Sequence, residues 1–117
     1  MKTTEEIAEI EKWLGLRLPA MYAQFLLDHP EKKFGDCVVL YSAEDLVERN
    51  STFETKIYCP RHLAIGDDSG GRAFIIPVER WSGSVFVVGH GDMTEDGFAL
   101  VATNFHDWTK NDCALPD

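Results

Sequence analysis

The chain has 117 residues, 44% apolar and 26% charged, the composition of one soluble globular domain spanning residues 1–117 with enough material for a core. Twenty acids against eleven bases leave a net charge of −9, which argues against nucleic acid or an anionic membrane surface as partner, because phosphate binding needs a basic face. Cys37, Cys59 and Cys113 are widely and irregularly spaced, no apolar run nears the roughly 20 residues that cross a bilayer, and Glu5, Glu6, Glu9 and Glu11 are foreign to a signal or transit peptide; the expectation is a cytoplasmic protein with reduced thiols.

The first quarter reads as two amphipathic helices. Ile7, Ile10 and Leu14 fall at i, i+3, i+7, with Thr3 and Glu6 spaced as a capping box. Gly15 is placed to end that helix in the left-handed conformation. Leu18-Pro19 opens the second helix, Pro19 in the first turn, and Leu18, Tyr22, Phe25, Leu26 and His29 form its stripe until Pro30 stops it.

Beyond Pro30 the texture changes to short strands with turn punctuation. Residues 37–41, CVVLY, read as a strand. Ser42 then caps a short helix to about Asn50 with Leu46 and Val47 inward. Residues 51–62 lack periodicity and read as a connection in which Tyr58 and Pro60 pack locally. Strands follow at 63–66, 72–78 and 84–89, separated by turns at 67–71 and 81–83, too short for parallel crossovers, so they form an antiparallel meander. The runs 73–76 and 85–88 are apolar at every position, which predicts cover on both sheet faces. Leu18, Tyr22, Phe25, Phe74, Ile76, Phe86 and Val88 are expected to meet in one core. Pro77 belongs at a strand end or edge. After the loop 90–97, FALVA is either a last strand or the run into a final helix, capped by Thr103 or Asn104, with Phe105 and Trp108 inward. The fold class is α+β: a central antiparallel meander flanked by an N-terminal helical hairpin and a C-terminal helix.

Residues with chemical potential do not assemble into a catalytic set. Gly66-Asp67-Asp68-Ser69-Gly70-Gly71 is too poor in oxygen ligands for a calcium loop and, without lysine, unsuited to phosphate; a structural turn explains it. Cys59-Pro60-Arg61-His62 with His106 and Cys113 has the residue types of a zinc site, but not the usual spacing. No cysteine sits where a thiolate would be stabilised. His90-Gly91-Asp92 with Glu95 and Asp96 reads as an exposed loop of ordinary carboxylates, and no serine elbow, HExxH or dinucleotide fingerprint occurs. No catalytic residue, cofactor or metal is expected.

The segments IEKWLGLRLPAMYAQFLLDHP, YSAEDL, LAIGDDSGGRAFIIPV, VFVVGHGD and TNFHDW together resemble the SUKH superfamily, which includes the fungal cell-wall synthesis regulators of the SMI/KNR type and many small bacterial proteins. The matching positions are Glu11, Leu14, Gly15, Leu18, Pro19, Tyr22, Phe25 and Leu26 at the entry, then Ile65, Gly66, Asp68, Gly70 and Gly71 in the glycine turn. The compact segment 30–60 and the end at Asp117 depart from that pattern. The resemblance implies an α+β fold and a non-catalytic binding role: a cytoplasmic immunity protein that neutralises a polymorphic toxin, often a nuclease, or alternatively a general regulatory or scaffold interaction domain. The partner expected is a protein, a basic toxin domain above all, and a weak homodimer is also admitted. Residues 90–117 hold six acids against Lys110 alone. Asp67, Asp68, Asp92, Glu95 and Asp96 are the expected partner-binding acids, on one rim where loops 67–71 and 90–97 meet, with Trp81 as aromatic anchor. The competing view is that these acids only keep turns soluble and that Trp81 caps the core.

Overall fold

The computed structural model describes residues 3–29, 31, 33–35 (backbone), 38–79, 82–91, 93–111 and 113. The expectations placed on Pro30, Cys37, Trp81 and Asp92 therefore lie outside the described residues.

Helix α1 runs Thr3–Leu14 and already includes Thr3, one position too early for Thr3 to act as its cap. Gly15, at φ +74°, ends it as the sequence requires, with its N–H on the Glu11 carbonyl at 2.9 Å. Pro19 is the cap of α2, Ala20–Asp28, one residue before the first helical turn. Between the helices, the Leu18 N–H donates to Glu11 Oε2 at 2.7 Å. One carboxylate thereby fixes the corner of the hairpin.

Among the described residues six strands follow, β1 (Lys33–Gly35), β2 (Val38–Leu40), β3 (His62–Asp67), β4 (Arg72–Pro77), β5 (Val85–Gly89) and β6 (Ala99–Ala102). They form one sheet in chain order, each pair antiparallel. FALVA thus supplies a sixth strand as well as the run into α5, Phe105–Lys110. Asn104 caps α5, its Oδ1 accepting from the Asp107 N–H at 3.0 Å. Pro77 is the last residue of β4. Gly66 must lack a side chain, because a Cβ there would run into the Val39 carbonyl of the neighbouring strand.

The segment between β2 and β3 is more ordered than its aperiodic sequence suggests. Helix α3, Ala43–Phe53, continues past Asn50, Glu54 turns the chain at φ +57°, and α4 occupies Thr55–Tyr58. The reason lies in tertiary contacts: Asn50 and Thr55 are buried polar residues that satisfy one another, Thr55 Oγ1 donating to Asn50 Oδ1 at 2.9 Å.

Both faces of the sheet are covered, as the unbroken apolar runs predict. On one face Leu63, Ile65, Phe74, Ile76 and Val85 pack against Ile10, Tyr22 and Leu26 of the hairpin, Leu46 of α3, and Phe105 and Trp108 of α5. On the other, Ala64, Ala73, Ile75 and Val88 pack with Met93, bordered by Phe53, Phe86 and Phe98. The expected single core is corrected accordingly. Phe74 lies opposite Val87 and Ile75 opposite Phe86, so Phe86 and Val88 share the face of Ile75, away from the hairpin. Phe25 is only half-buried.

Candidate functional site

The turn after β3 is built by its own acids. Asp67 Oδ2 accepts from the Tyr41 hydroxyl at 2.6 Å and Oδ1 from the Ser69 N–H at 2.9 Å. Burial, followed by the bond to Asp67, drives the Tyr41 pKa upward, so the hydroxyl remains a donor. Asp68 Oδ1 accepts from the N–H groups of Gly70 at 2.9 Å and Arg72 at 3.2 Å, while Oδ2 meets Arg72 Nε at 3.0 Å. Burial pulls the Asp68 carboxyl up, but the Arg72 guanidinium and the two N–H groups outweigh it and hold it below the usual carboxylate range. These two carboxylates spend their acceptor capacity on the fold.

Loop 90–97 starts beside this turn, the His90 N–H donating to the Gly71 carbonyl at 2.7 Å. It then crosses the second face of the sheet, burying Met93, and reaches a 3₁₀ turn at Glu95–Gly97. There Glu95 Oε1 lies 3.4 Å from His62 Nδ1, at the opposite end of β3 from Asp67. A six-residue strand separates these ends by roughly 16 Å. Asp67 and Asp68 are therefore together, Glu95 and Asp96 are together, and the two pairs do not share a rim. Phe98 anchors the loop, stacked on Phe86 with centroids 5.6 Å apart and edge-on to His62 at 5.3 Å.

Glu95 and Asp96, both exposed, wall a cleft of about 400 Å³ with Tyr58, Pro60, Arg61 and Thr94. Cys59 is buried nearby, and burial, with a smaller contribution from Glu95, pushes its thiol up to about 11. A thiol so shifted is protonated at neutral pH and is not an activated nucleophile. Among the described residues, no group of three or more His, Cys, Asp or Glu is arranged to hold a metal ion. A second concavity, about 540 Å³, opens between α2 and α5 over Met21, Phe25 and Phe105, with Asp28 and Lys110 on its rim.

Sequence comparison decides the relationship. Residues 2–111 match the SMI1 / KNR4 family (SUKH-1). The chain belongs to that family. No curated protein matches it closely enough to be named beside it.

The SUKH-1 positions now have physical reasons. Glu11 ties Leu18, Gly15 takes a positive φ, Tyr22 and Leu26 fill the core, Gly66 admits the β2 backbone and Asp68 closes the turn. These residues build the scaffold. Among the described residues no helix is long and apolar enough to cross a membrane. The expectation that Tyr58 and Pro60 pack locally is corrected, since both are exposed, and sequence reasoning passed over the exposed Ile57; two apolar residues inside an aperiodic polar stretch were the available signal.

Proposed function

We propose that this SUKH-1 protein is a cytoplasmic immunity protein: a non-catalytic binding domain that neutralises a basic toxin domain, such as a nuclease, by occupying it. Membership of the family supports the immunity-type or SMI1/KNR4-like class. The observation that carries the basic partner is the exposed Glu95–Asp96 pair, beside which Glu95 meets the titratable His62 at 3.4 Å while the nearby arginine is engaged elsewhere. Arg61 Nε is held by Glu79 at 2.9 Å, and Lys56 Nζ by the Trp13 carbonyl at 2.7 Å. A surface on which exposed carboxylates predominate accelerates encounter with a cationic partner and selects against anionic ones. Asp92, in the same loop, belongs to this proposal by sequence, and Asp67 and Asp68 contribute field more than contact.

The test begins with the reading frames that flank this gene, where a toxin domain is the expected partner. Co-expression should restore growth to cells producing it, and reversal of Asp92, Glu95 and Asp96 to lysine should slow association at low salt and flatten its salt dependence. Failure of the wild-type protein to protect overturns the reading. Unchanged association rates in the triple variant place the interface away from this loop.

A further inference from the structure

We infer that the partner docks on the ridge formed by α4, with Ile57 and Tyr58 as apolar anchors and arginine or lysine side chains of the partner entering the clefts on either side of Tyr58. The inference rests on the partner-binding reading above and gives it a site. Ile57 and Tyr58 are 67% and 49% exposed; most large apolar side chains of this size are buried, and two adjacent ones held outward on a four-residue helix mark a contact surface. Tyr58 and Thr94 line both flanking clefts. One is the 400 Å³ cleft bearing Glu95 and Asp96. The other, about 520 Å³, is walled by Phe53, Glu54, His90 and Met93, with the His90 and Phe53 rings stacked at 4.7 Å.

The chemistry of these walls selects cations. Glu54, Glu95 and Asp96 are exposed carboxylates around one phenol ring. Of the nearby bases, Arg61 is bound to Glu79, Lys56 is turned toward Trp13, its Nζ 4.9 Å from the ring centroid, Arg49 lies 5.2 Å over the Phe53 ring with its Nε on Glu48, and His62 faces Glu95 at 3.4 Å. A guanidinium stacks flat on an aromatic face while pairing with a carboxylate, so aromatic and acid side by side suit arginine best. Tyrosine and arginine are also among the residue types enriched at interface hot spots. A second copy of this chain would bring acid against acid. Two other concave surfaces among the described residues lack the combination. Around the 410 Å³ cavity between α1 and α3, Glu6, Glu9 and Glu44 have no exposed aromatic with them, and the α2–α5 groove balances Asp28 with Lys110.

The probe is a blocked tetra-arginine peptide, with tetra-glutamate as control, titrated into the isotope-labelled protein while backbone amide shifts are followed. Saturable shifts should concentrate in residues 53–62 and 90–97. Tyr58→Ala and the Glu54→Lys/Glu95→Lys pair should each weaken binding about fivefold or more, whereas Glu6→Lys/Glu9→Lys/Glu44→Lys should change it less than about twofold. Shifts centred on α1 and α3, shifts spread over all acids, absence of a saturable site, or indifference to Tyr58→Ala would each overturn the inference. Growth assays separate it from the proposed function. Protection that survives Tyr58→Ala moves the surface and leaves the function standing. Peptide docking on α4 by a protein that protects against no toxin leaves the surface and removes the function.

Discussion

Asn50 and Ala64 exchange two hydrogen bonds, the Asn50 Nδ2 donating to the Ala64 carbonyl at 2.9 Å and the Ala64 N–H donating to Asn50 Oδ1 at 2.8 Å. The side-chain amide thus stands in for a strand. Strand β2 pairs with β3 at Asp67 and Gly66, its last bond being Tyr41 N–H to the Ile65 carbonyl, and the chain then leaves for α3. Asn50, fully buried on that helix, returns to satisfy the next backbone position of β3. Its Nδ2 also donates to the Leu46 carbonyl at 2.9 Å, and Thr55 takes up the rest of its oxygen.

Asn50→Ala should therefore be among the costliest single substitutions in the protein. It strands a buried N–H and a buried carbonyl on a central strand, each worth about 1–3 kcal/mol, for a total of about 2–6 kcal/mol in urea denaturation. A loss below about 1 kcal/mol would mean that Ala64 has another source of partners.

Glu11→Ala removes the acceptor of the Leu18 N–H and loosens the corner between α1 and α2. Charge-assisted bonds to backbone contribute about 1.5–3 kcal/mol. Equilibrium unfolding should show a loss in that range, largely rescued by Glu11→Gln, which retains an oxygen at the same reach.

The two faces of the sheet should respond unequally to truncation. Phe74 is fully buried against Trp108, with centroids 5.6 Å apart, and Phe74→Ala is expected to cost about 3–5 kcal/mol. Phe86 is only half-buried on the second face, so Phe86→Ala should cost about half as much. Equal losses in thermal or urea unfolding would contradict the strand phase.

Asp68 makes the turn acid-sensitive. Its carboxyl lies below its ordinary value when folded, so its contribution is present above the unfolded pKa and disappears as pH falls through the folded one. Stability of wild type and Asp68→Ala should differ at neutral pH and converge below about pH 4. A difference that persists unchanged into acid would show that the charge of Asp68 is not what holds the turn.

Local pattern determined a large part of this molecule. The spacing of Ile7, Ile10 and Leu14, the left-handed Gly15, the break at Pro19, the short turns between apolar runs and the Asn104 cap each act within a few residues of themselves. They therefore specify the helices, the antiparallel order and cover on both faces from the chain alone, and the resemblance to the SUKH superfamily pointed to a binding role. What only the tertiary structure decided depends on partners distant in sequence. The facing of Phe86 follows from register with β4; the order of residues 51–58 follows from Asn50 reaching Ala64; and the acids separate because loop 90–97 runs the length of β3 to place Glu95 beside His62 instead of Asp67. Exposure of Ile57 and Tyr58 is of the same kind. Period and propensity report what a residue prefers next to its neighbours, whereas burial is a property of the whole packed chain, and a surface is whatever that packing leaves outside.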